Sequence, residues 1–319
     1  MQEIAIILPA YNEEQTITQM IEGFHQECPE AYIWVINNCS SDSTEIKARE
    51  TIDNLNINGG VINETRKGKG NALRCAFTRI DADIYVIVDA DCTYHPKDLR
   101  KLMQPVLDGY ADMVVGDRHE GGDYAKENKR ALHGFGNRLV KNLVNYLFGT
   151  NLSDILSGYR VFSRRFIKTY PILVEGFEIE TDMTLHALDK RFNIVEIPIE
   201  YSDRPEGSVS KLHTYRDGFK VLKTLSNILR HYEPLLFFGA LSSLFFIAGL
   251  ILGASVIEQY LTTGYITRIP LAILSTGVEV IAVVLAAIGT ILDSIVYHHK
   301  RMFEREFMQE TFKKSNQGS

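Results

Sequence analysis

The chain has 319 residues, of which 45% are hydrophobic, and it carries a formal net charge of −6. This length exceeds one typical domain of roughly 100–200 residues, so a second region is expected. The negative charge gives no support to nucleic-acid binding, and four scattered cysteines without a CxxC pair argue against a structural zinc site.

Residues 1–212 alternate between short apolar runs and helical patterns. The predicted strands are Ile4–Pro9, Tyr32–Ile36, Ile84–Val88 and Met113–Val115, and the predicted helices are Glu13–Gln26, Asp42–Thr51 and Lys69–Arg79. This alternation predicts βαβ units and an α/β fold, with a mostly parallel sheet covered by helices. Ligands of such sheets bind beyond the carboxyl ends of the strands. The polar residues that follow the strands are therefore candidates for one site.

The segment Asp89-Ala90-Asp91 directly follows the apolar strand Ile84–Val88. Two carboxylates on such a turn can hold a hard divalent cation through oxygen ligands. A cation of this kind neutralises the charge of a diphosphate. An Asp-x-Asp pattern by itself is more often a solvated turn, but its position at a strand end favours a metal site at Asp89 and Asp91.

The loop after the first strand reads Pro9-Ala10-Tyr11-Asn12-Glu13-Glu14. Pro9 is predicted to end the strand. Tyr11 offers a ring for stacking, and Asn12 and Glu13 offer polar edges to a base. The same loop also suits a simple helix start, with Asn12 as the cap and the acids favoured by the helix dipole.

Four further segments carry charged or flexible residues. Lys67-Gly68-Lys69-Gly70 combines positive charge with glycines that allow close backbone approach to a ligand, although a solvated basic turn fits equally well. Asp154–Arg160 contains Ser-Gly-Tyr-Arg, and Gly176–Asp182 contains three acids that suit a ligand or a plain helix start. Arg204–Lys211 is turn-rich and ends in a lysine, and arginine suits bidentate phosphate contacts.

The remainder of the chain has the composition of a membrane anchor. Pro234–Ile257 is almost free of charge, and a second apolar stretch, residues 269–295, contains Glu279. A helix needs about 20 residues to span a bilayer, and each stretch is longer than that. Buried core helices of soluble proteins are rarely apolar on every face. Basic residues flank the pair on both sides, and the loop between them carries only Arg268. We therefore predict an integral protein of the cytoplasmic membrane, or of the ER in a eukaryote, with both termini cytosolic.

Residues 213–233 are predicted to form an amphipathic helix at the membrane interface, with packing on the first domain as the alternative. Residues 298–319 would form a cytosolic basic tail. Glu279 would mark a helix contact or a functional site, or would lie near the outer interface. Small residues in the first span, Gly249 and Gly253 among them, allow close helix contact and are compatible with a homo-oligomer.

Taken together, motifs between Ile4 and Lys211 resemble family 2 glycosyltransferases, and within them the dolichyl-phosphate mannose synthase-like, polyprenyl-phosphate branch. Each motif is short, but their order and spacing make the set specific. They are Pro9-Ala10-Tyr11-Asn12-Glu13, Ser41-Asp42-Ser43-Thr44, Lys67-Gly68-Lys69-Gly70, Asp89-Ala90-Asp91, Ser157-Gly158-Tyr159-Arg160 and Arg204-x-x-Gly207-x-x-Ser210-Lys211. The resemblance implies a GT-A type, Rossmann-like fold.

The resemblance also implies roles for individual residues. Asp89 and Asp91 would hold Mg²⁺ or Mn²⁺ on the donor diphosphate. The expected catalytic residues, including the arginines that would receive the acceptor phosphate or the donor diphosphate, are Asp91, Arg118, Arg130, Arg204 and Lys211. The expected nucleotide-sugar-binding residues are Pro9, Tyr11, Glu13, Asn38, Asp42, Lys69, Asp89, Ala90, Glu178 and Glu180.

One loop departs from the family pattern. The family usually has an Asp-Asp-Gly-Ser-like run after its second strand, whereas this chain has Asn37-Asn38-Cys39-Ser40-Ser41-Asp42. Asparagine can still bond a base edge, but it offers both a donor and an acceptor. The departure from the family pattern thus falls on the loop of Asn38 and Asp42, whereas Asp89 and Asp91 keep the pattern.

The implied reaction is inverting, metal-dependent transfer of one hexose or N-acetylhexosamine from a nucleotide diphosphosugar, by default a UDP-sugar. The acceptor would be a polyprenyl phosphate, undecaprenyl or dolichyl, and the product would supply a lipid-linked sugar for cell-envelope glycans or glycoproteins. A phosphate monoester is already an anion, so catalysis reduces to alignment and charge stabilisation.

Three alternatives remain. The first is a transferase for a soluble or protein acceptor, and the segment Arg204–Lys211 next to the membrane argues against it. A processive polysaccharide synthase usually adds a Gln-x-x-Arg-Trp segment, and the single tryptophan here is Trp34, in an early strand. The last alternative is an inactive scaffold that recruits partners in a glycan pathway. The intact Asp89 and Asp91 argue against it.

Overall fold

The computed structural model describes residues 2–119, 131–176, 178–202 and 214–317. Two compact units divide the chain, Met1–Thr214 and Tyr215–Ser319. The first unit is an α/β structure, and the second unit is helical.

The first unit is built on a seven-stranded sheet with the strand order β3-β2-β1-β4-β6-β5-β7. In this sheet β6 pairs antiparallel with β4 and β5, whereas the other pairs are parallel. The predicted α/β fold with a mostly parallel sheet is therefore confirmed. The strands are β1 Ile4–Ala10, β2 Tyr32–Asn38, β3 Gly59–Glu64, β4 Ile84–Ile87, β5 Met113–Asp117, β6 Arg160–Ser163 and β7 Ile194–Pro198.

Helices flank this sheet, and α1 shows how an apolar stripe is buried. In α1 the fully buried residues Ile17, Met20, Ile21 and Phe24 follow the i, i+3, i+4, i+7 spacing of one helix face. Each such side chain stabilises the fold by about 1.5–3 kcal/mol. The helices are α1 Ile17–Glu27, α2 Thr44–Asn54, α3 Lys69–Arg79, α4 Leu99–Leu107, α5 Ala131–Phe148, α6 Arg164–Thr169 and α7 Ile179–Asp189.

Pro9 lies inside β1, so the prediction that it ends the strand is wrong. Pro9 pairs with Ile36 of β2, and the strand continues to Ala10. The N–H of Val88 donates to the carbonyl of Ile7, which therefore faces β4. Two residues later Pro9 faces the same side, beyond the end of β4, so its missing N–H costs no ladder hydrogen bond.

Two helices begin later than predicted because the preceding loops adopt turns. Asn12 has a positive φ of 55°, and α1 starts at Ile17 instead of Glu13. The carboxylate of Asp42 accepts from the backbone N–H of Thr44 at 3.0 Å, and this turn delays α2 to Thr44.

The second unit contains α8 Thr214–Tyr232, α9 Pro234–Thr263 and α10 Ile269–Gln317. Both α9 and α10 are long and apolar enough to cross a membrane, and only 6% and 11% of their apolar windows are buried. Core helices of soluble proteins are mostly buried, so the two predicted spans are supported. The helix α8 covers the predicted amphipathic segment, and α10 continues through most of the predicted tail.

The contact between α9 and α10 uses the small residues of α9. The Ser275 hydroxyl donates to the carbonyl of Gly249 at 3.0 Å, and a Cβ on Gly249 would lie 2.6 Å from Oε1 of Glu279. A Cβ on Gly253 would lie 2.9 Å from the Ser275 hydroxyl. Glu279 lies about 15 Å along α10, at 1.5 Å per residue. This position favours the helix-contact interpretation of Glu279, and both glycines serve packing within the hairpin.

Candidate active site

The carboxyl ends of β1, β2, β4 and β5 lie at one edge of the sheet. Two antiparallel pairings, β4 with β6 and β6 with β5, leave β4 and β5 pointing the same way. Asn38, Asp89 and Arg118 are at or just after the ends of these strands. Since one strand separates β4 from β5, their ends lie about 10 Å apart. The expected convergence of the polar loops at this edge is therefore present.

The loops after β1 and β2 are joined by side-chain hydrogen bonds. The backbone N–H of Glu14 donates to Oδ2 of Asp42 at 3.2 Å, and that of Glu13 donates to Oγ1 of Thr44 at 2.9 Å. Burial alone would raise the pKa of Asp42, but the hydrogen bonds from Thr44 and Glu14 outweigh it and lower the pKa. Asp42 thus fixes the shape of the loop that carries Tyr11 and Glu13, both half-buried.

Asn38 positions the glycine-rich loop that precedes α3. Its amide nitrogen donates to the carbonyl of Arg66 at 2.7 Å, and its amide oxygen accepts from the N–H of Gly68 at 2.7 Å. At the same loop, Nζ of Lys67 donates to the Tyr11 hydroxyl at 2.8 Å. The loops after β1, β2 and β3 therefore form one connected wall of the site.

Gly68 and Gly70 allow this loop to pack against the backbone of residues 174–175. A Cβ on Gly68 would lie 2.1 Å from the carbonyl oxygen of Glu175, and one on Gly70 would lie 2.1 Å from that of Val174. The N–H of Gly70 also donates to the Glu175 carbonyl at 3.0 Å. The close packing on residues 174–175 thus explains why both positions are glycines, in addition to the predicted close approach of a ligand.

Gly70→Ala is expected to lower the stability of the first unit by about 2–4 kcal/mol, because its Cβ overlaps backbone that cannot move away. For a unit of this size the melting temperature would fall by roughly 5–15 °C. The melting temperature can be measured from the fluorescence of Trp34, which lies in β2, during thermal unfolding. The matched control is Gly109→Ala, where no atom lies within 4 Å and only the positive φ of 77° adds strain. Equal losses in the two variants would contradict the packing explanation.

Lys69 joins two other predicted site residues into a buried ion-paired triad. Its Nζ donates to Oδ1 of Asp89 and, at 2.5 Å, to Oε1 of Glu180. Burial alone would lower the pKa of Lys69, but the two carboxylates outweigh it and raise the pKa above its usual value. Lys69 is therefore charged in the folded protein.

The remaining contacts of the Asp89–Asp91 turn hold it rigidly. A Cβ on Gly158 would lie 2.3 Å from Oδ2 of Asp89, so a larger residue at this position would displace the Asp89 carboxylate. Asp91 is 5% exposed, and its Oδ1 accepts from the hydroxyl of Thr93 at 2.6 Å. The carbonyl of Ala90 accepts from the hydroxyl of Thr16 at 2.6 Å, which ties the turn to the start of α1.

Arg118 is held by a carboxylate that the sequence did not assign to it. Its Nε and Nη2 donate to the two oxygens of Asp154 at 2.6 and 2.9 Å, a bidentate pair. Burial alone would raise the pKa of Asp154, but the bonds and charge of Arg118 outweigh it and lower the pKa. The guanidinium also lies over the ring of Tyr201, 5.4 Å from its centroid.

Arg160 is a fully buried residue that organises the segment from Asp154 to Gly158. Its guanidinium donates to the carbonyls of Ile155 and Ser157 at 2.8 and 2.9 Å and to the hydroxyl of Thr184 at 2.9 Å. Because β6 is antiparallel, the segment before it lies at the carboxyl edge. It contacts Asp89 through Gly158 and Arg118 through Asp154.

A second group of cation ligands lies beside Arg118. One ligand atom from each of Asp117, His119 and Asp154 falls within 4.8 Å of the others. Both oxygens of Asp154 already accept hydrogen bonds from Arg118. Sequence reasoning did not single out this group.

The remaining predicted site residues divide into described and undescribed positions. Glu178 is exposed and immediately precedes α7, and Pro9 is half-buried within β1. Arg130, Arg204 and Lys211 lie outside the described residues.

Residues 5–170 match the family described as Glycosyl transferase family 2. Glycosyltransferase AglJ of Haloferax volcanii is 30% identical over 303 residues, which cover 95% of this chain and 96% of that protein. Polyprenol monophosphomannose synthase of Mycolicibacterium smegmatis is 29% identical over 219 residues, which cover 66% of this chain and 81% of that protein.

Among solved structures, glucosyl-3-phosphoglycerate synthase from Mycobacterium tuberculosis, in complex with Mn²⁺, UDP and glucosyl-3-phosphoglycerate, has a TM-score of 0.55 at 22% identity. The likeness covers 72% of this chain and 79% of that chain, and it shows a shared fold. The family match covers more than half of the chain, and the similarity to AglJ extends over nearly all of it. The resemblance read from the sequence motifs is confirmed: the chain belongs to glycosyl transferase family 2 and is a glycosyltransferase.

Proposed function

We propose that this glycosyltransferase moves one hexose or N-acetylhexosamine from a nucleotide diphosphosugar, by default a UDP-sugar, to a polyprenyl phosphate. The observation that carries the proposal is the placement of Asp89, Asp91 and Arg118 at one edge of the sheet. Carboxylates for a cation and a guanidinium for a phosphate are the groups that this transfer requires. The similarity to polyprenol monophosphomannose synthase supports the choice of acceptor.

Asp89 and Asp91 fit a Mg²⁺ or Mn²⁺ ion. They offer carboxylate oxygens, the donors that hard divalent cations prefer, and Asp89 is the more open of the two, with 32% of its side chain exposed. The alternative group around Asp154 fits less well, since its side chain is 2% exposed and both of its oxygens accept from Arg118, whereas Lys69 donates to only one oxygen of Asp89. When bound, the cation would neutralise the charge that develops on the leaving nucleoside diphosphate. The fold neighbour with bound Mn²⁺ and UDP supports this assignment.

The protein's own residues would then align the two substrates. The wall formed by the loops after β1, β2 and β3 would receive the nucleotide against Tyr11 and Glu13. Arg118, whose direction is fixed by Asp154, would hold the acceptor phosphate, together with Arg130 and Arg204. An oxygen of this phosphate would attack the anomeric carbon from the side opposite the leaving group. Such direct displacement inverts the anomeric centre, and no general base is required because the attacking oxygen is already anionic.

The helical unit would anchor the enzyme where its lipid acceptor lies. In this assignment residues 1–212 form the transferase domain, α8 lies at the membrane interface, and α9 and α10 cross the bilayer. The positive charges before α9 and after Tyr297 favour cytosolic termini. Anchoring confines the enzyme and the polyprenyl phosphate to one surface and raises their effective concentration.

The test is sugar transfer by the full-length protein in detergent. A panel of radiolabelled nucleotide sugars is offered with undecaprenyl or dolichyl phosphate, in Mn²⁺ or in EDTA, and label in the organic phase is counted. One donor is expected to give lipid-linked label with the cation and none with EDTA. The anomeric proton coupling in the product should show inversion. Nucleotide-sugar binding without lipid-linked label from any donor would refute the proposed acceptor.

A further inference from the structure

Lys69 is an ammonium group enclosed between two carboxylates of the candidate active site. The side chains of Lys69 and Glu180 are 6% and 7% exposed, whereas that of Asp89 is 32% exposed. The open member of the triad is thus the residue assigned to the cation. Both oxygens of Asp89 have close neighbours, because Lys69 donates to Oδ1 and the backbone of Gly158 lies against Oδ2.

An ammonium group and a divalent cation compete for the same position on such a carboxylate. Each is a compact, strongly hydrated positive charge that is stabilised by oxygen ligands. A cation that binds at Oδ1 of Asp89 would lie next to the Lys69 ammonium, and the repulsion between the two positive charges favours displacement of the ammonium from that oxygen. Lys69 retains Glu180 as a buried partner after such a displacement, so its charge is not left unpaired.

We propose that Lys69 is a placeholder for the divalent cation, and that it occupies Asp89 until a nucleotide diphosphate binds together with the cation. This inference rests on the metal site assigned to Asp89 and Asp91 under the proposed function. It makes donor binding ordered: the cation binds weakly to the empty site and tightly with the nucleotide present. By thermodynamic linkage, the cation strengthens nucleotide binding by the same factor.

The test measures Mn²⁺ binding to the full-length protein by electron paramagnetic resonance, with and without UDP. The decisive variant is Lys69→Met combined with Glu180→Gln, which removes one positive and one negative charge. Two carboxylates and one ammonium carry −1, and the remaining Asp89 also carries −1, so the net charge of the triad is unchanged. Mn²⁺ binding without nucleotide is expected to tighten by about 10- to 100-fold, within the usual range of coupling between ligands. The enhancement by UDP should shrink accordingly.

Two further variants keep the test independent of folding effects. Lys168→Met removes a lysine that pairs with Asp81 at 3.0 Å on the surface, and it should bind Mn²⁺ as the wild type does. Glu180→Gln alone leaves Lys69 on Asp89 and should weaken Mn²⁺ binding without nucleotide.

Three outcomes would overturn the proposal. Equal Mn²⁺ affinity of the double variant and the wild type without nucleotide would show that Lys69 does not compete. Tighter Mn²⁺ binding by the single Glu180→Gln variant than by the wild type would also show that Lys69 does not compete with the cation. If the wild type bound no Mn²⁺ even with UDP, the metal site itself would be refuted and the inference with it. Only this last outcome would also contradict the proposed function.

Discussion

Asp91→Asn is expected to lower the rate of sugar transfer at least about 1000-fold, which corresponds to about 4 kcal/mol of transition-state stabilisation. The amide oxygen can still accept the hydrogen bonds that Thr93 donates to Oδ1 of Asp91 at 3.2 and 2.6 Å. The turn should therefore keep its shape while the site loses one negative charge. Single-turnover transfer to the lipid acceptor, with the melting temperature measured in parallel, checks the prediction.

The control for Asp91→Asn is Asp53→Asn, the same change at an exposed residue of α2. It should leave transfer and melting temperature unchanged. A stable Asp91→Asn variant whose rate of sugar transfer is within about tenfold of the wild-type rate would contradict the electrostatic role assigned to Asp91.

Arg118→Lys is expected to lower kcat/KM for the lipid phosphate by about 100- to 1000-fold, because lysine keeps the charge but cannot reproduce the bidentate guanidinium fork. Arg118 is directed by two hydrogen bonds to Asp154, and a lysine ammonium would take up only part of this arrangement. The KM for the nucleotide sugar should change little, since the donor is proposed to bind against the loops after β1, β2 and β3. Initial rates at varied lipid phosphate and at varied donor separate the two effects.

A matched control exists for Arg118→Lys on the surface of the same domain. Arg49 also donates through Nε and Nη2 to a carboxylate, that of Glu45, but its side chain is 50% exposed. Arg49→Lys should leave both kinetic constants unchanged. If Arg118→Lys instead raised only the KM for the donor, Arg118 would belong to the diphosphate rather than to the acceptor phosphate.

Several elements were predictable because their signals are local. The helix Lys69–Arg79 begins and ends as predicted, and the apolar run Ile84–Val88 corresponds to β4 with the acidic turn after it. Hydrophobic periodicity and unbroken apolar length depend on neighbouring residues alone, which is also why both membrane-length helices were recognised.

Other elements escaped because their residues look ordinary without their neighbours. The strand β3 lies at the sheet edge and is mostly exposed or half-buried, so it has no pure apolar run. The strand β6 has four residues and begins with Arg160, whose burial depends on acceptors at Ile155, Ser157 and Thr184. A charged residue is expected outside a core unless such partners are known.

Motif order and local patterns alone therefore predicted the family, the mostly parallel sheet, the acidic turn at the end of β4 and the two long apolar helices. Only the tertiary structure showed that Lys69 contacts Glu180, 111 positions away, and that Asp154 holds Arg118. It also showed that the antiparallel direction of β6 places the segment before it between Asp89 and Arg118. The physical reason is that composition and periodicity specify local conformation, whereas contacts between distant residues follow from the packing of the whole sheet.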